Sequence, residues 1–225
     1  TPRRLAARGM TEAPRRVALS LVEDGAHYDD VLERLLREAR VSVWISTANV
    51  KDVRVEAPMG TRDRAAGRWT TFLARLWDLS QNGIDVRLLH GGKPSRAFAA
   101  TERALLAERG NAATVRRPTA HHCMRVHLKL VLVDGRWAYF GSANLTGAGL
   151  GGKGDGRRNF ELGAIVDDDV ILDRLQERFD RIFRGAECAS CTLRRECPAP
   201  LDIAKKTSVA LSATRKRPPR KNAPK

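Results

Sequence analysis

The sequence predicts an α/β layered fold, and three observations predict it. Short aliphatic and β-branched runs alternate with segments whose apolar residues recur at helical spacing, the order expected of a sheet covered by helices. At 225 residues the chain is long enough to bury a sizeable core. No run of about 18 uninterrupted apolar residues occurs, so no transmembrane helix is predicted.

Residues 1–25 read as a basic N-terminal arm, and residues 17–22 are too short and too polar-flanked to serve as a secretory apolar core. A main unit is expected over 26–186. It opens with a helix in the segment 27–40, where Tyr28, Val31, Leu32, Leu35 and Leu36 share one face. Asp29 and Asp30 near its start and Arg40 near its end suit the helix dipole. Residues 41–48 form a β-branched run that reads as a buried strand, whereas 49–67, with Pro58 and Gly60, reads as an irregular loop at the rim of a site. A helix over 69–79 stops near Asn82-Gly83, and a strand over 84–89 leads into His90. A second full helix spans 96–109, followed by a short strand over 113–116. His121, His122 and Cys123 precede the next strand and could be metal ligands, a substrate rim or an exposed approach. Residues 147–156 are glycine-rich but do not match a P-loop; Lys153, Arg157 and Arg158 are candidate substrate contacts there. A strand over 160–166 and a helix over 169–183 close the unit.

Chemistry concentrates in residues 126–146, VHLKLVLVDGRWAYFGSANLT. Asp134-Gly135 is a strong hairpin signal between two short strands. His127 and Lys129 are two apart, so on a strand they share a face, while Leu128, Leu130 and Leu132 point to the core. If the strands pair, His127, Lys129, Ser142 and Asn144 converge on one small volume. An imidazole beside a permanent cation and two neutral hydrogen-bonding groups suits a phosphate.

The run His127-x-Lys129-x4-Asp134, followed by Gly141-Ser142-x-Asn144 and then by Asn159-x-Glu161, resembles the HKD pattern of the phospholipase D superfamily. The resemblance implies a phospholipase D-like mixed sheet flanked by helices. It also implies a phosphodiesterase that needs no metal for catalysis and works through a phosphohistidine. Lys129 and Asn144 would hold the nonbridging oxygens, Ser142 would assist and Glu161 would orient His127; Asp134, although part of the pattern, reads as structural. The family reaction needs two copies of the motif and this chain has one, so a homodimer is implied.

A second constellation is Cys188-x2-Cys191-x5-Cys197, three of only four cysteines. Residues 187–203 read as a Cys-rich metal-binding segment, with Cys123, His121 or His122 as the fourth ligand of a structural zinc. The triplet also resembles the last three ligands of an iron–sulfur staple found in some nucleases, for which Cys123 is the candidate fourth ligand; free or paired thiols are the remaining reading.

The formal charge of +15 suggests a polyanionic partner, but residues 1–16 contribute +4 and residues 215–225 contribute +6, so the folded part is only mildly basic. Residues 204–225 read as a basic disordered tail. The charge favours DNA or RNA as partner, with anionic lipid as the alternative. A cytoplasmic setting without integral membrane association is expected. Three functions stay open: a nuclease, a phospholipid-cleaving enzyme with the same motif, and a nucleic-acid-binding protein with a vestigial site.

Overall fold

The computed structural model describes residues 16–110 and 115–203; the basic segments 1–15 and 204–225 lie outside the described residues. Seven strands build the main sheet: β1 (Ser20–Glu23), β2 (Ser42–Thr47), β5 (Asp85–His90), β6 (Thr119–His122), β7 (Leu130–Val133), β8 (Trp137–Gly141) and β9 (Leu162–Val166), in the order β1-β9-β8-β7-β2-β5-β6. β2, β5 and β6 run parallel, and the β7–β8–β9–β1 half is antiparallel. The sheet is therefore mixed. β7, Leu-Val-Leu-Val, is buried on both faces, as a strand at the sheet's centre must be.

Helices cover both faces. A π-helical turn, Tyr28–Glu33, runs into α1 (Arg34–Glu38), and with α3 (Phe72–Gln81) and α4 (Arg96–Arg109) it packs Leu32, Leu35, Leu76 and Phe98 against Ile45, Leu88, Val131 and Tyr139. α5 (Asp169–Phe183) covers the other face, where Leu172, Phe179 and Ile182 meet Leu130, Leu132, Ala138 and Val166. Thr71, Ser95 and Asp168 cap α3, α4 and α5 by accepting from the backbone amides of Ala74, Phe98 and Ile171, which fixes where each helix starts. Between β2 and α3, residues 49–67, expected as loop, contain β3 (Arg54–Glu56) and the short α2 (Arg62–Ala65), while the first residues of the helix expected over 69–79 are instead β4 (Trp69–Thr71), paired with β3 as a separate ribbon.

Three further features differ from the sequence expectation. β1 lies in the segment assigned to the N-terminal arm; Val22 is its one buried side chain, too weak a pattern to announce a strand, and pairing with β9 holds it. The strand after α4 is Thr119–His122 rather than 113–116, because its partner β5 sets the register as Arg87 opposite Thr119 through His90 opposite His122; residues 111–114 lie outside the described residues. Leu128, expected in the core, is exposed, because α5 does not extend over that end of the sheet.

The β7–β8 turn is held from outside. Asp134 and Gly135 both adopt positive φ, 56° and 64°, and Arg136 N–H closes the turn on Val133 O at 2.9 Å, the type I′ geometry that Asp-Gly favours. The Asp134 carboxylate accepts from the backbone amides of Arg40, Val41 and Ser42 at 2.9, 2.8 and 2.8 Å, tying the start of β2 to the hairpin. Asp134→Ala is expected to lower stability by about 2 kcal/mol, since three amides lose a charged acceptor and Ala is strained at positive φ. Urea unfolding monitored by circular dichroism checks this, and an unchanged midpoint would contradict it.

Candidate active site

One pole of the sheet collects the polar residues. The carboxyl ends of β1, β2, β5, β6 and β8 and the amino ends of β7 and β9 all open there, while the Asp134 turn lies at the opposite pole. The carboxyl ends of parallel strands are where open α/β sheets place their ligands. His127 and Lys129 lie on the chain leading into β7, and Lys129 is already in the ladder through Gly141 N–H to Lys129 O at 3.2 Å. The Lys129 ammonium sits 3.0 Å from His127 Nδ1 and 3.2 Å from Nε2, and donates to His127 O at 2.9 Å. The cation thus lies close to both ring nitrogens at once. Partial desolvation lowers the Lys129 pKa, against the opposing pull of Glu161, so the ammonium and this carboxylate share the site.

From the other strands come Ser142, Asn144, Asn159 and Glu161. Ser142 Oγ donates to Glu161 Oε2 in a short contact and accepts from Leu162 N–H at 3.0 Å. Asn159 Nδ2 donates to Glu161 Oε1 at 3.0 Å. Both carboxylate oxygens are thus engaged by Ser142 and Asn159, rather than by His127 as the resemblance implied. Asn144 Oδ1 accepts from Asn49 N–H at 3.1 Å, so its amino group is the part left to meet an anion. The loop after β2 is fixed to the same place: the Thr47 hydroxyl donates to Asn49 O at 2.8 Å and accepts from Leu145 N–H at 2.9 Å. An imidazole, an ammonium, an amide and a hydroxyl–carboxylate pair therefore lie at one pole of the sheet.

The sequence matches the family described as "Cardiolipin synthase, PLD-like domain" over residues 32–183. The chain belongs to the phospholipase D-like family. This family lies in a superfamily of phosphodiester hydrolases. No curated protein matches the chain. Among solved structures it is similar to NucT from Helicobacter pylori, at 14% identity over 74% of this chain and 95% of that one, TM-score 0.47. It is similar to the phospholipase D family member Nuc from Salmonella typhimurium, at 13% identity over 73% and 93%, TM-score 0.46. A third is phosphatidylserine synthase from Haemophilus influenzae Rd KW20, at 16% identity over 89% and 47%, TM-score 0.41.

Beneath this phospholipase D-like site is a shell that the sequence did not announce. His27 is fully buried; its Nδ1 donates to Asp24 O at 2.9 Å, which leaves Nε2 to accept from the Tyr139 hydroxyl at 2.9 Å. The same hydroxyl lies against Gly141 and Gly163, and an added Cβ at Gly163 would collide with the Tyr139 ring. Asp24 closes the arrangement: its Oδ1 accepts from Glu161 N–H and its own N–H donates to Glu161 O, both at 2.9 Å. His27 and Tyr139 are 112 residues apart, so no local spacing could pair them. His90 is buried at the end of β5; its Nδ1 donates to Gly92 O at 2.8 Å, and burial lowers its pKa.

The remaining predicted residues divide. Lys153 and Arg157 are exposed on the glycine-rich loop, while Arg158 pairs with Asp155 at 2.9 Å and packs over Gly25. Asp134 stays at the far pole, with its carboxylate committed to the β2 amides. His121 and His122 are engaged on Phe183 O and Gly91 O, each at 2.9 Å.

Burial pushes the Tyr139 hydroxyl from 10.0 up to about 12. The unfolded chain releases this proton near pH 10 and the folded one holds it to about pH 12, so stability falls across that interval, by on the order of 2–3 kcal/mol in total. Tyr139→Phe is expected to remove this alkaline loss, yet to cost about 1–3 kcal/mol at neutral pH because His27 Nε2 loses its donor. Denaturant titrations of both proteins at neutral pH and at pH 11 read the two effects; parallel pH profiles would refute the assignment.

Proposed function

We propose that the chain is a phosphodiesterase that cleaves nucleic acid without a divalent metal, through a phosphohistidine, at a site completed by a second copy of the same chain. The observation that carries this reading is the Lys129 ammonium seated against both ring nitrogens of His127, at the open pole of the sheet. Lys129 supplies the positive charge that a phosphodiester needs. When a nonbridging oxygen draws the ammonium away, the imidazole lone pair is released to attack phosphorus. The P–N bond forms as the bond to the leaving oxygen breaks. The protonated His127 of the second copy gives its proton to that oxygen. It then accepts a proton from water, whose oxygen attacks phosphorus and breaks the P–N bond. Asn144 positions a nonbridging oxygen. Glu161, held by Ser142 and Asn159, keeps a fixed negative charge near Lys129 and so favours its charged form.

A second copy is supported by the surface beside the site. Leu128, Phe140, Leu162 and Leu21 fall on the α5 face by strand parity, with Phe140 and Leu21 both opposite Ala164. α5 does not cover them, all four are exposed, and the neighbouring Phe160 is 95% exposed. A contiguous apolar strip beside an incomplete site fits a two-fold partner bearing the same strip. The basic segments favour nucleic acid over lipid as the phosphodiester.

The protein is expected to cleave labelled DNA or RNA in EDTA, and His127→Ala to lower the rate by at least about 10³-fold. Cleavage that survives in His127→Ala protein free of contaminating nuclease would sink the mechanism, and hydrolysis of anionic phospholipid alone would move the chain to the lipid class. Leu21→Glu combined with Leu162→Glu is expected to convert a two-chain species into a one-chain species in sedimentation velocity and to abolish cleavage, with the circular dichroism spectrum retained. An active single-chain species would remove the shared site.

A further inference from the structure

All four cysteines of the chain line one cavity, to which none of His127, Lys129, Ser142, Asn144 and Glu161 contributes. Cys123 comes from the connection that leaves β6; Cys188, Cys191 and Cys197 come from the segment after α5. None forms a disulfide and all are partly buried. Val126, Ile182 and Leu201 give the cavity apolar walls, and Arg125 and Arg194 add cations. Arg125 donates to Cys191, while Arg194 donates to Cys188 O at 3.1 Å and to Asp202 at 2.8 Å.

The segment itself shows why something must hold it. Residues 186–203 are a succession of turns with no residue fully buried. Backbone bonds run from Cys188 N to Gly185 O, Cys191 N to Cys188 O and Arg194 N to Cys191 O, at 3.1, 3.2 and 3.1 Å. Such a piece of chain lacks an apolar core, and small coreless units are held by staples such as disulfides or metals. Its cysteines face inward to a fourth that is distant in sequence and rigidly placed: Cys123 N–H donates to His90 O, and Cys123 O accepts from Val126 N–H, both at 2.9 Å.

The size of the cavity selects the occupant. A single tetrahedral zinc needs its sulfurs about 3.8 Å apart. Among the described residues, no three His, Cys, Asp or Glu side chains are gathered tightly enough to hold one ion. The cavity measures about 90 Å³, whereas a water molecule needs only about 10–15 Å³ on the same kind of measure. Four cysteine sulfurs around a space this large, with apolar walls and the guanidiniums of Arg125, Arg178 and Arg194 against the one carboxylate of Glu187, match a multi-atom inorganic cluster. We propose that Cys123, Cys188, Cys191 and Cys197 ligate an iron–sulfur cluster that clasps the C-terminal segment to the chain entering β7. His121 and His122 do not line this cavity, which leaves the four cysteines as its ligand set. The clasp is structural, and it fixes the chain four residues ahead of His127.

The test is iron and acid-labile sulfide analysis of full-length protein produced and purified without oxygen. Equal amounts of the two, about two or four of each per chain, are expected, together with a visible absorbance that bleaches on reduction. Cys123→Ala leaves the C-x2-C-x5-C triplet intact, and is expected to lose iron and to expose residues 186–203 to limited proteolysis while α5 stays protected. Zinc at about one per chain without sulfide would overturn the cluster. So would a metal-free protein with four titratable thiols, or one with a disulfide among these cysteines. Should Cys123→Ala fail to fold, the wild-type iron and sulfide content decides the question by itself.

Discussion

The register of β7 between β2 and β8 is the constraint on which the rest of the molecule depends. Side chains alternate along a strand, so a slip of one residue would turn His127 and Lys129 to the α5 face and bring Leu130 and Leu132 out of their layer. Two devices at the far pole prevent the slip. The Asp134-Gly135 turn, with both residues at positive φ, fixes β7 against β8, and the Asp134 carboxylate on three amides fixes β7 against β2. A residue that reads as part of a catalytic pattern thus acts from the opposite end of the strand, through geometry alone.

At the functional pole the problem is different, because the reactive groups sit where strands end rather than within them. Each connection is therefore tied to another: Asn49 to Asn144, Thr47 to Leu145, Ser142 to Glu161, and Glu161 to Asp24. The His27–Tyr139 pair supports this level from below. In the mechanism we propose, the Lys129 ammonium against the imidazole is a resting arrangement in which the nucleophile is covered by the same cation that recognises the substrate. Phosphate recognition and exposure of the lone pair then become a single event.

Much of this was legible in the sequence, and physical reasons separate what was from what was not. α4 and α5 fall where periodicity puts them, because capping residues and apolar spacing are both local. The hairpin was legible because Asp-Gly has few other uses between two apolar runs. β1 was not: one buried valine in a basic segment carries no periodic signal, and only the partner strand makes it a strand. The strand after α4 was misplaced for a similar reason, since its register is set by β5 rather than by its own side chains. Within the site, His127, Lys129, Ser142 and Asn144 could be read from spacing, and Glu161 from the resemblance to the HKD pattern. The support from Asp24, His27 and Tyr139 depends on contacts between segments more than a hundred residues apart.

The packing of Tyr139 against Gly141 and Gly163 has a consequence for how this site can change over time. A side chain at Gly163 would occupy the volume of the Tyr139 ring, and one at Gly141 would meet both the Tyr139 hydroxyl and the backbone at Leu162 and Gly163. Shrinking Tyr139 alone removes the donor to His27 and opens a void in the core. Neither move is tolerable by itself, so the ring and the glycines form one unit of inheritance. Sequence drift among descendants of this chain should alter the size of the ring and Gly163 together or leave both untouched, and a library that varies them one at a time would return little beyond the parental pair and Tyr139→Phe.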